Sequence, residues 1–306
     1  MTLPPAAPAT RSGHIALAGP PNVGKSSLLN ALVGQHLGIV SPKPQATRLP
    51  VTGIRTDERT QYVFHDLPGL LDPQYLMQER MREAALEVLR HVDVILHLHP
   101  ANAGPAPDFF ALTAASTPFR APVLVVYTKA DQVAPLERAR LEREAIAVST
   151  TDGLGADVLL ERIAAQLPLR PFEFDPEDIG TQPTRFFVTE YLREAAFELL
   201  GDEVPYSFNA EVEEFRENDK PIYIRVSLFV ERDSQKGILI GRGGQTLKAL
   251  GTHARMRLEA LLGQPVYLDT WVKVVSNWRR NAAALDRFGF PDSSRPSAPK
   301  RDHQRG

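Results

Sequence analysis

Eight consecutive residues, Gly19-Pro20-Pro21-Asn22-Val23-Gly24-Lys25-Ser26, fit the pattern G-x-x-x-x-G-K-[ST]. They follow an apolar run, His14–Ala18, and open a segment, Lys25–Val33, that places Leu28, Leu29, Leu32 and Val33 on one helical face. Strand, loop and helix in that order is the setting a phosphate loop requires. Glycines let the backbone wrap close to phosphate oxygens, and successive N–H groups plus the helix N-terminus attract the anion. Lys25 reaches the β- and γ-phosphates as a point charge, the Ser26 hydroxyl ligates Mg²⁺, and Ser27 lies beside it in the same phosphate-binding set.

Three further elements follow candidate strands in chain order. Asp66-Leu67-Pro68-Gly69 closes the strand Gln61–His65; the acid can hold Mg²⁺ through water and the Gly69 amide can sense a γ-phosphate. Thr128-Lys129-Ala130-Asp131 follows the apolar run Pro122–Tyr127. There a carboxylate accepts from both guanine N1–H and the N2 amine, a donor pair adenine lacks, while the lysine stem lies along the base. Ser149-Thr150, with Thr151-Asp152-Gly153, is placed to close over the base with backbone amides. Together they predict a guanine-nucleotide site.

Between the phosphate-loop helix and the next strand, Gly34–Pro50 is polar and carries Pro42 and Pro44. Thr47 is its only threonine and the candidate Mg²⁺ ligand when a triphosphate is bound. The position after Gly69, where Ras-like enzymes orient the attacking water with a glutamine, is Leu70, so slow intrinsic hydrolysis is expected.

A second cradle lies in the C-terminal half. Ile240-Gly241-Arg242-Gly243-Gly244 is a GxxG loop before a helical pattern, Gln245–Leu262. Glycines there allow close approach to a sugar-phosphate chain. Arg242 sits inside the loop, and Lys236, Lys248, Arg255 and Arg257 flank it as salt-dependent RNA contacts. Arg279 and Arg280 read as diffuse attraction or solvation; Trp271 and Trp278 could stack on bases, but core packing is the expectation for both. His97 and His99, two apart on one strand, read as packed rather than catalytic.

The elements that position these motifs divide the chain. Before residue 168, short apolar strands (His14–Ala18, Gln61–His65, Val92–Leu98, Pro122–Tyr127) alternate with helical patterns such as Gln78–Arg90, predicting a mostly parallel, doubly wound α/β sheet. Residues 168–183 hold four prolines and four acids and read as a linker. Beyond it, a helix at Thr184–Leu200, alternating strands over 208–213 and 222–230, the GxxG loop with its helix, and a strand over 266–272 make a distinct α+β unit. The reading is therefore a disordered arm at 1–12, a nucleotide-binding domain at 13–167, the linker, an RNA-binding domain at 184–290 and a disordered basic tail at 291–306.

Composition agrees. The 306 residues suit two domains. The absence of cysteine excludes disulfide scaffolds, thiolate-held metals and thiol nucleophiles and fits a reducing compartment. No apolar run reaches the roughly 18 residues of a membrane span, and no signal peptide is evident, so the cytoplasm is the expected location. Net charge is −2, but residues 220–287 carry 12 Lys+Arg against 5 Asp+Glu, and residues 1–219 carry 19 against 30. A basic end on an acidic body suits a polyanionic partner.

The stretches GPPNVGKS, QATR, DLPG, TKAD and STTDGL, then KGILIGRGG and KALGTHAR, resemble the Era family of bacterial GTPases from about His14 to Phe290. The resemblance implies a P-loop G domain followed by a type II KH domain, with GTP/GDP and Mg²⁺ as cofactors. It implies binding near the 3′ end of 16S ribosomal RNA, assistance in 30S subunit maturation, and peripheral contact with the cytoplasmic membrane face; a monomer is expected, although the sequence itself does not fix the oligomeric state. Asn22 is similar to an asparagine that ligates K⁺ in related GTPases, which adds it to Lys25 and Thr47 as a catalytic candidate. Three positions depart from the family pattern: Thr128 stands for the usual asparagine, Leu67 for a threonine, and Ala46-Thr47 for a threonine pair. The Thr128 hydroxyl is expected to preserve guanine selectivity. Two rival readings are a binding module that never turns its nucleotide over and a membrane-associated signalling GTPase acting in growth or cell-cycle control, without RNA as its main partner.

Overall fold

The computed structural model describes residues 10–115, 117–201 and 203–292. The first lobe is built on six strands: β1 (Arg11–Ala18), β2 (Val51–Thr56), β3 (Thr60–Asp66), β4 (Val94–Pro100), β5 (Val123–Thr128) and β6 (Ile146–Ala147). Their order is β2-β3-β1-β4-β5-β6, and only β2 runs antiparallel to its neighbour. Ile15, Ala16, Leu17 and Ala18 are each 0% exposed, as expected of a central strand covered on both faces. The covering helices are α1 (Lys25–Val33), α2 (Leu76–His91), α3 (Phe109–Thr113), α4 (Pro135–Glu144) and α5 (Ala156–Gln166).

The second lobe runs α6 (Thr184–Leu199), α7 (Val204–Ser207), β7 (Asn209–Arg216), β8 (Ile222–Val230), α8 (Asp233–Ile240), α9 (Gln245–Leu262), β9 (Val266–Val274) and α10 (Ala282–Arg287). Its sheet, β7-β8-β9, pairs the first two strands antiparallel and the last two parallel. One apolar cluster contains residues of both lobes, from Ile15 and Phe64 to Val226 and Leu258.

Several expectations need correction. Arg11 and Ser12 are not a disordered arm but the start of β1, where Arg11 faces Thr60; residues 1–9 lie outside the described residues. At the other end Asp292 approaches Arg80 at 3.5 Å, while 293–306 lie outside the described residues. The strand β2 went unread because Gly53 interrupts its pattern. A Cβ there would come within 2.7 Å of Leu29 and 2.8 Å of Val33, so the glycine lets α1 lie directly on the sheet. The proline-rich segment 168–183 has no helix, yet it is strapped to the first lobe. Buried Gln61 accepts from the amides of Glu173 (2.8 Å) and Phe174 (3.0 Å), and Ile54 N–H donates to Ile179 O (2.9 Å).

The polar loop 34–50 is fastened to the second lobe. Arg48, 2% exposed, donates to the carbonyls of Phe208 (2.8 Å), Pro205 (3.1 Å) and Tyr206 (2.8 Å) and lies over the Trp278 ring. Glu194 on α6 accepts from Val40 N–H (3.1 Å) and meets His36 at 2.9 Å. Lys43 donates to Phe197 O (2.7 Å), and Tyr191 Oη to His36 O (2.8 Å). Met77 and Met81 of α2 pack with Trp278, Leu285 and Phe290 in a separate apolar cluster. Arg48→Ala strands three carbonyls, two of them in buried bonds, so a loss of roughly 2–4 kcal/mol is expected. Thermal unfolding of the intact chain checks this: an unchanged Tm would show that the contact carries no stability. Among the described residues no helix is long and apolar enough to cross a membrane.

Candidate nucleotide and RNA sites

The phosphate loop lies between the end of β1 and the start of α1, where its backbone must turn sharply. Gly24 has φ +94° and Asn22 φ +61°. At Gly19 a Cβ would come within 2.5 Å of Leu98 O, so only glycine fits beside β4. The other motifs are knitted around this loop. Leu70 N–H donates to Gly19 O (3.1 Å), and a Cβ on Gly69 would meet Pro21 at 2.8 Å. Thr128 Oγ1 donates to Val23 O (2.6 Å), and Lys129 Nζ to Asn22 O (3.0 Å). Thr128 therefore supplies a hydroxyl tie between the base-side strand and the phosphate loop. Ala130 N–H reaches Val148 O (3.1 Å), which brings Ser149 and Thr150 beside Asp131. Ser149 is buried; Thr150 and Asp131 are exposed.

Ser26, Thr47 and Asp66, separated by up to 40 residues, converge. Ser26 Oγ donates to Asp66 Oδ2 (2.6 Å), Thr47 Oγ1 does so at 3.2 Å, and the two hydroxyls are 3.0 Å apart. Burial pushes the Asp66 carboxyl up to about 6, and its Oδ1 is buried with no hydrogen-bond partner. Oxygen donors with one under-satisfied carboxylate fit a hard cation such as Mg²⁺. Burial likewise lowers Lys25 to about 8; its ammonium donates to the loop carbonyls of Pro20 (2.8 Å) and Gly19 (3.2 Å). A cavity of about 370 Å³ opens beside these groups, bounded by Pro21, Asn22, Lys25 and Ser26 on one side and by Ile39–Pro42 and Thr47 on the other. Asn22 Nδ2 donates to Pro42 O (2.7 Å), tying the phosphate loop to the 34–50 loop. Leu67 and Leu70 are buried in an apolar cluster, so residue 70 offers the cavity no polar side chain. His97 packs on Phe109 and His99 on Tyr127.

On the second lobe, α8 ends at Ile240 and α9 begins at Gln245, so the GxxG loop is the turn between two helices. Gly241, Gly243 and Gly244 have φ of +73°, +59° and +80°. A Cβ on Gly241 would collide with Thr246 Oγ1 at 2.1 Å, while Gly243 faces open space. Arg242 and Lys248 are exposed, Lys236 and Ile240 partly so. Beside the loop lies a cavity of about 400 Å³ with Leu247, Val266 and Leu268 among its apolar walls and Lys248 and Arg255 as its cations. Sequence reading missed the β9 wall, because strand and helix meet only in the fold.

Three basic or aromatic residues differ from expectation. Arg257 does not face this groove; it pairs with Glu194 (3.1 Å) and Glu198 (2.8 Å) on α6. Arg279 is not merely solvated; it grips Glu231 (2.6 Å) and lies over Tyr75. Trp278 is fully buried and donates to Ser207 O (2.8 Å), whereas Trp271, expected in the core, is 60% exposed because it falls on the outer face of β9.

A phosphate loop opening on a mostly parallel sheet, joined to an α-β-β-α-α-β unit with a glycine clamp, defines a P-loop GTPase carrying a KH domain. Family models agree: a "50S ribosome-binding GTPase" model matches residues 14–129 and a "KH domain" model residues 203–279. The chain is 38% identical to the GTPase Era of Carboxydothermus hydrogenoformans over 92% of its own length and 98% of that protein's. It is 37% identical to the GTPase Era of Lactobacillus helveticus, at 92% and 96% coverage. It superimposes on Aquifex aeolicus Era bound to GDP·AlF4⁻ with a TM-score of 0.86 at 34% identity, covering 92% of this chain and 99% of the other. An Era structure in complex with MgGDPNP and nucleotides 1506–1542 of 16S ribosomal RNA matches equally well. The chain belongs to the Era family of GTPases.

Proposed function

We propose that this chain is a GTP-hydrolysing switch that holds the 3′ region of 16S ribosomal RNA in its KH domain and assists maturation of the 30S subunit in the cytoplasm. The nucleotide-binding unit runs from the start of β1 at Arg11 to residue 167, with 168–183 as the linker and 184–290 as the RNA-binding unit. The convergence of Ser26, Thr47 and Asp66 beside Lys25 carries the first half of this reading. The solved Era complex with 16S ribosomal RNA supports the second.

Mg²⁺, when bound, would neutralise charge on the β- and γ-phosphates. Ser26 and Thr47 would ligate it, and Asp66 would orient its water. Lys25 would leave the carbonyls of Gly19 and Pro20 for the phosphates. Gly69 N–H would meet the γ-phosphate, and Asp131 would accept from guanine. With Leu70 in the core, attacking water has no glutamine to orient it, so turnover stays slow. Asn22 is the residue through which K⁺ would act. Thr47 and Arg48 are adjacent, so ordering Thr47 on a triphosphate pulls on the loop that α6 and α7 hold. That is the route by which nucleotide state would reach the RNA clamp.

Multiple-turnover hydrolysis, measured with and without an oligonucleotide of the 16S 3′ end, tests the proposal. Slow GTP turnover that the RNA changes is expected, with K⁺ in place of Na⁺ as the readout for Asn22. Absence of turnover in every condition would leave only a nucleotide-binding module. Liposome flotation decides the membrane alternative, for which the fold offers no favouring feature among the described residues.

A further inference from the structure

A separate cavity, of about 320 Å³, lies where the two lobes meet. Its walls carry Arg48 from the first lobe and Arg185, Arg193 and Arg287 from the second. It shares no lining residue with the cavity around Lys25. Two carboxylates also line it, Glu190 and Glu211, and they pair with Arg193 and Arg287. Among the described residues Arg48 and Arg185 have no carboxylate partner. Arg48 is bonded only to carbonyl oxygens, and Arg185 makes no ion pair among the described residues, lying instead 5.8 Å over the Phe215 ring. Four guanidinium groups against two carboxylates leave the walls with a net charge of +2.

A second observation points the same way. Arg193 is 3% exposed, and its Nε has no hydrogen-bond partner. A buried donor left unsatisfied costs on the order of 1–3 kcal/mol, and more for a charged group. Burial, and then the charge of Arg193, also holds the Arg48 guanidinium well below its ordinary pKa. One small anion would supply both missing elements, an acceptor for Nε and a countercharge for Arg48. The planar forks of guanidinium groups match phosphoryl oxygens. The volume sits at the low end of small-ligand pockets, roughly 300–1,000 Å³, and leaves no room for a polynucleotide strand.

We infer that this interlobe cavity binds a phosphoryl anion, either free inorganic phosphate or a small phosphate ester, through Arg48, Arg185 and Arg193. The site does not depend on how the phosphate loop is read.

The test titrates inorganic phosphate, and in a parallel arm glycerol phosphate, into the full chain saturated with Mg·GDP so that the phosphate loop is filled. Binding is followed by ³¹P line width and calorimetry. One saturable site with Kd at or below about 1 mM is expected, and whichever probe binds more tightly identifies the source of the phosphoryl group. Arg185→Ala, at the exposed rim, should weaken binding at least about fivefold, while Arg140→Ala on exposed α4 leaves it unchanged. Absence of a saturable site, or identical titrations for the parent and Arg185→Ala, would overturn the inference.

Discussion

Lys25→Ala abolishes GTP and GDP binding while the chain stays folded. The side chain's hydrogen bonds go to the loop carbonyls Gly19 O and Pro20 O and hold no other element in place. Burial depresses its pKa from 10.5 to about 8, so the charged form is disfavoured in the fold. A lysine with a lowered folded pKa costs stability below that pKa, at neutral pH included. Removing it relieves that cost, and the ligand-free Tm should hold or rise. The nucleotide loses charge-assisted bonds worth roughly 1.5–3 kcal/mol each, so two such bonds predict a loss of affinity of at least about 100-fold. Equilibrium binding of a fluorescent GDP analogue measures it. Affinity within a few fold of the parent would remove the phosphate-loop assignment.

The second large effect lies on the other lobe. Gly243→Asp should weaken binding of a 16S 3′-end oligonucleotide at least about tenfold and leave GTP affinity intact. Space is not the cause, because a Cβ at Gly243 meets nothing within 4 Å. Its φ of +59° is a conformation that Asp and Asn tolerate better than most residues. What changes is a negative charge set against a phosphate chain. Gly243→Asn is the control: it has the same shape and backbone cost without the charge, and should retain most of the affinity. If the two variants lose RNA equally, backbone strain and not phosphate contact explains the loop.

Local signals were legible in the sequence and distant ones were not. The phosphate loop, Asp66–Gly69 and Thr128–Asp131 are each a few contiguous residues whose types announce their chemistry. The fold then places Thr128 on Val23 O and Asp66 on Ser26 and Thr47. The apolar positions 222, 224, 226, 228 and 230 of β8 alternate because they share the face that meets the main core, although Ser227 and Phe229 on the other face are buried as well. β2 was hidden because Gly53 serves the packing of α1 rather than the strand's own pattern. Arg48 falls in the QATR stretch, but nothing local marked its role, since the carbonyls it binds lie about 160 residues away and any residue type supplies a carbonyl. Arg257 looked like an RNA contact, and Arg279 like a diffuse or solvated charge, for the same reason: their carboxylate partners on α6 and at Glu231 are neighbours only in the fold. Trp271 was misread because aromatic character suits either face of a sheet, and alternation places it outward.

The central claim is that two main-chain cradles, one for a nucleoside triphosphate and one for RNA, sit on adjoining lobes linked through the 34–50 loop. Crosslinking the intact protein to small-subunit ribosomal RNA, with GDP and then with a non-hydrolysable GTP analogue, tests it most directly. The account predicts crosslinks from residues 236–255 to the RNA 3′ region, with a yield that depends on the nucleotide. Crosslinks confined to the first lobe, or a yield indifferent to the nucleotide, would contradict it.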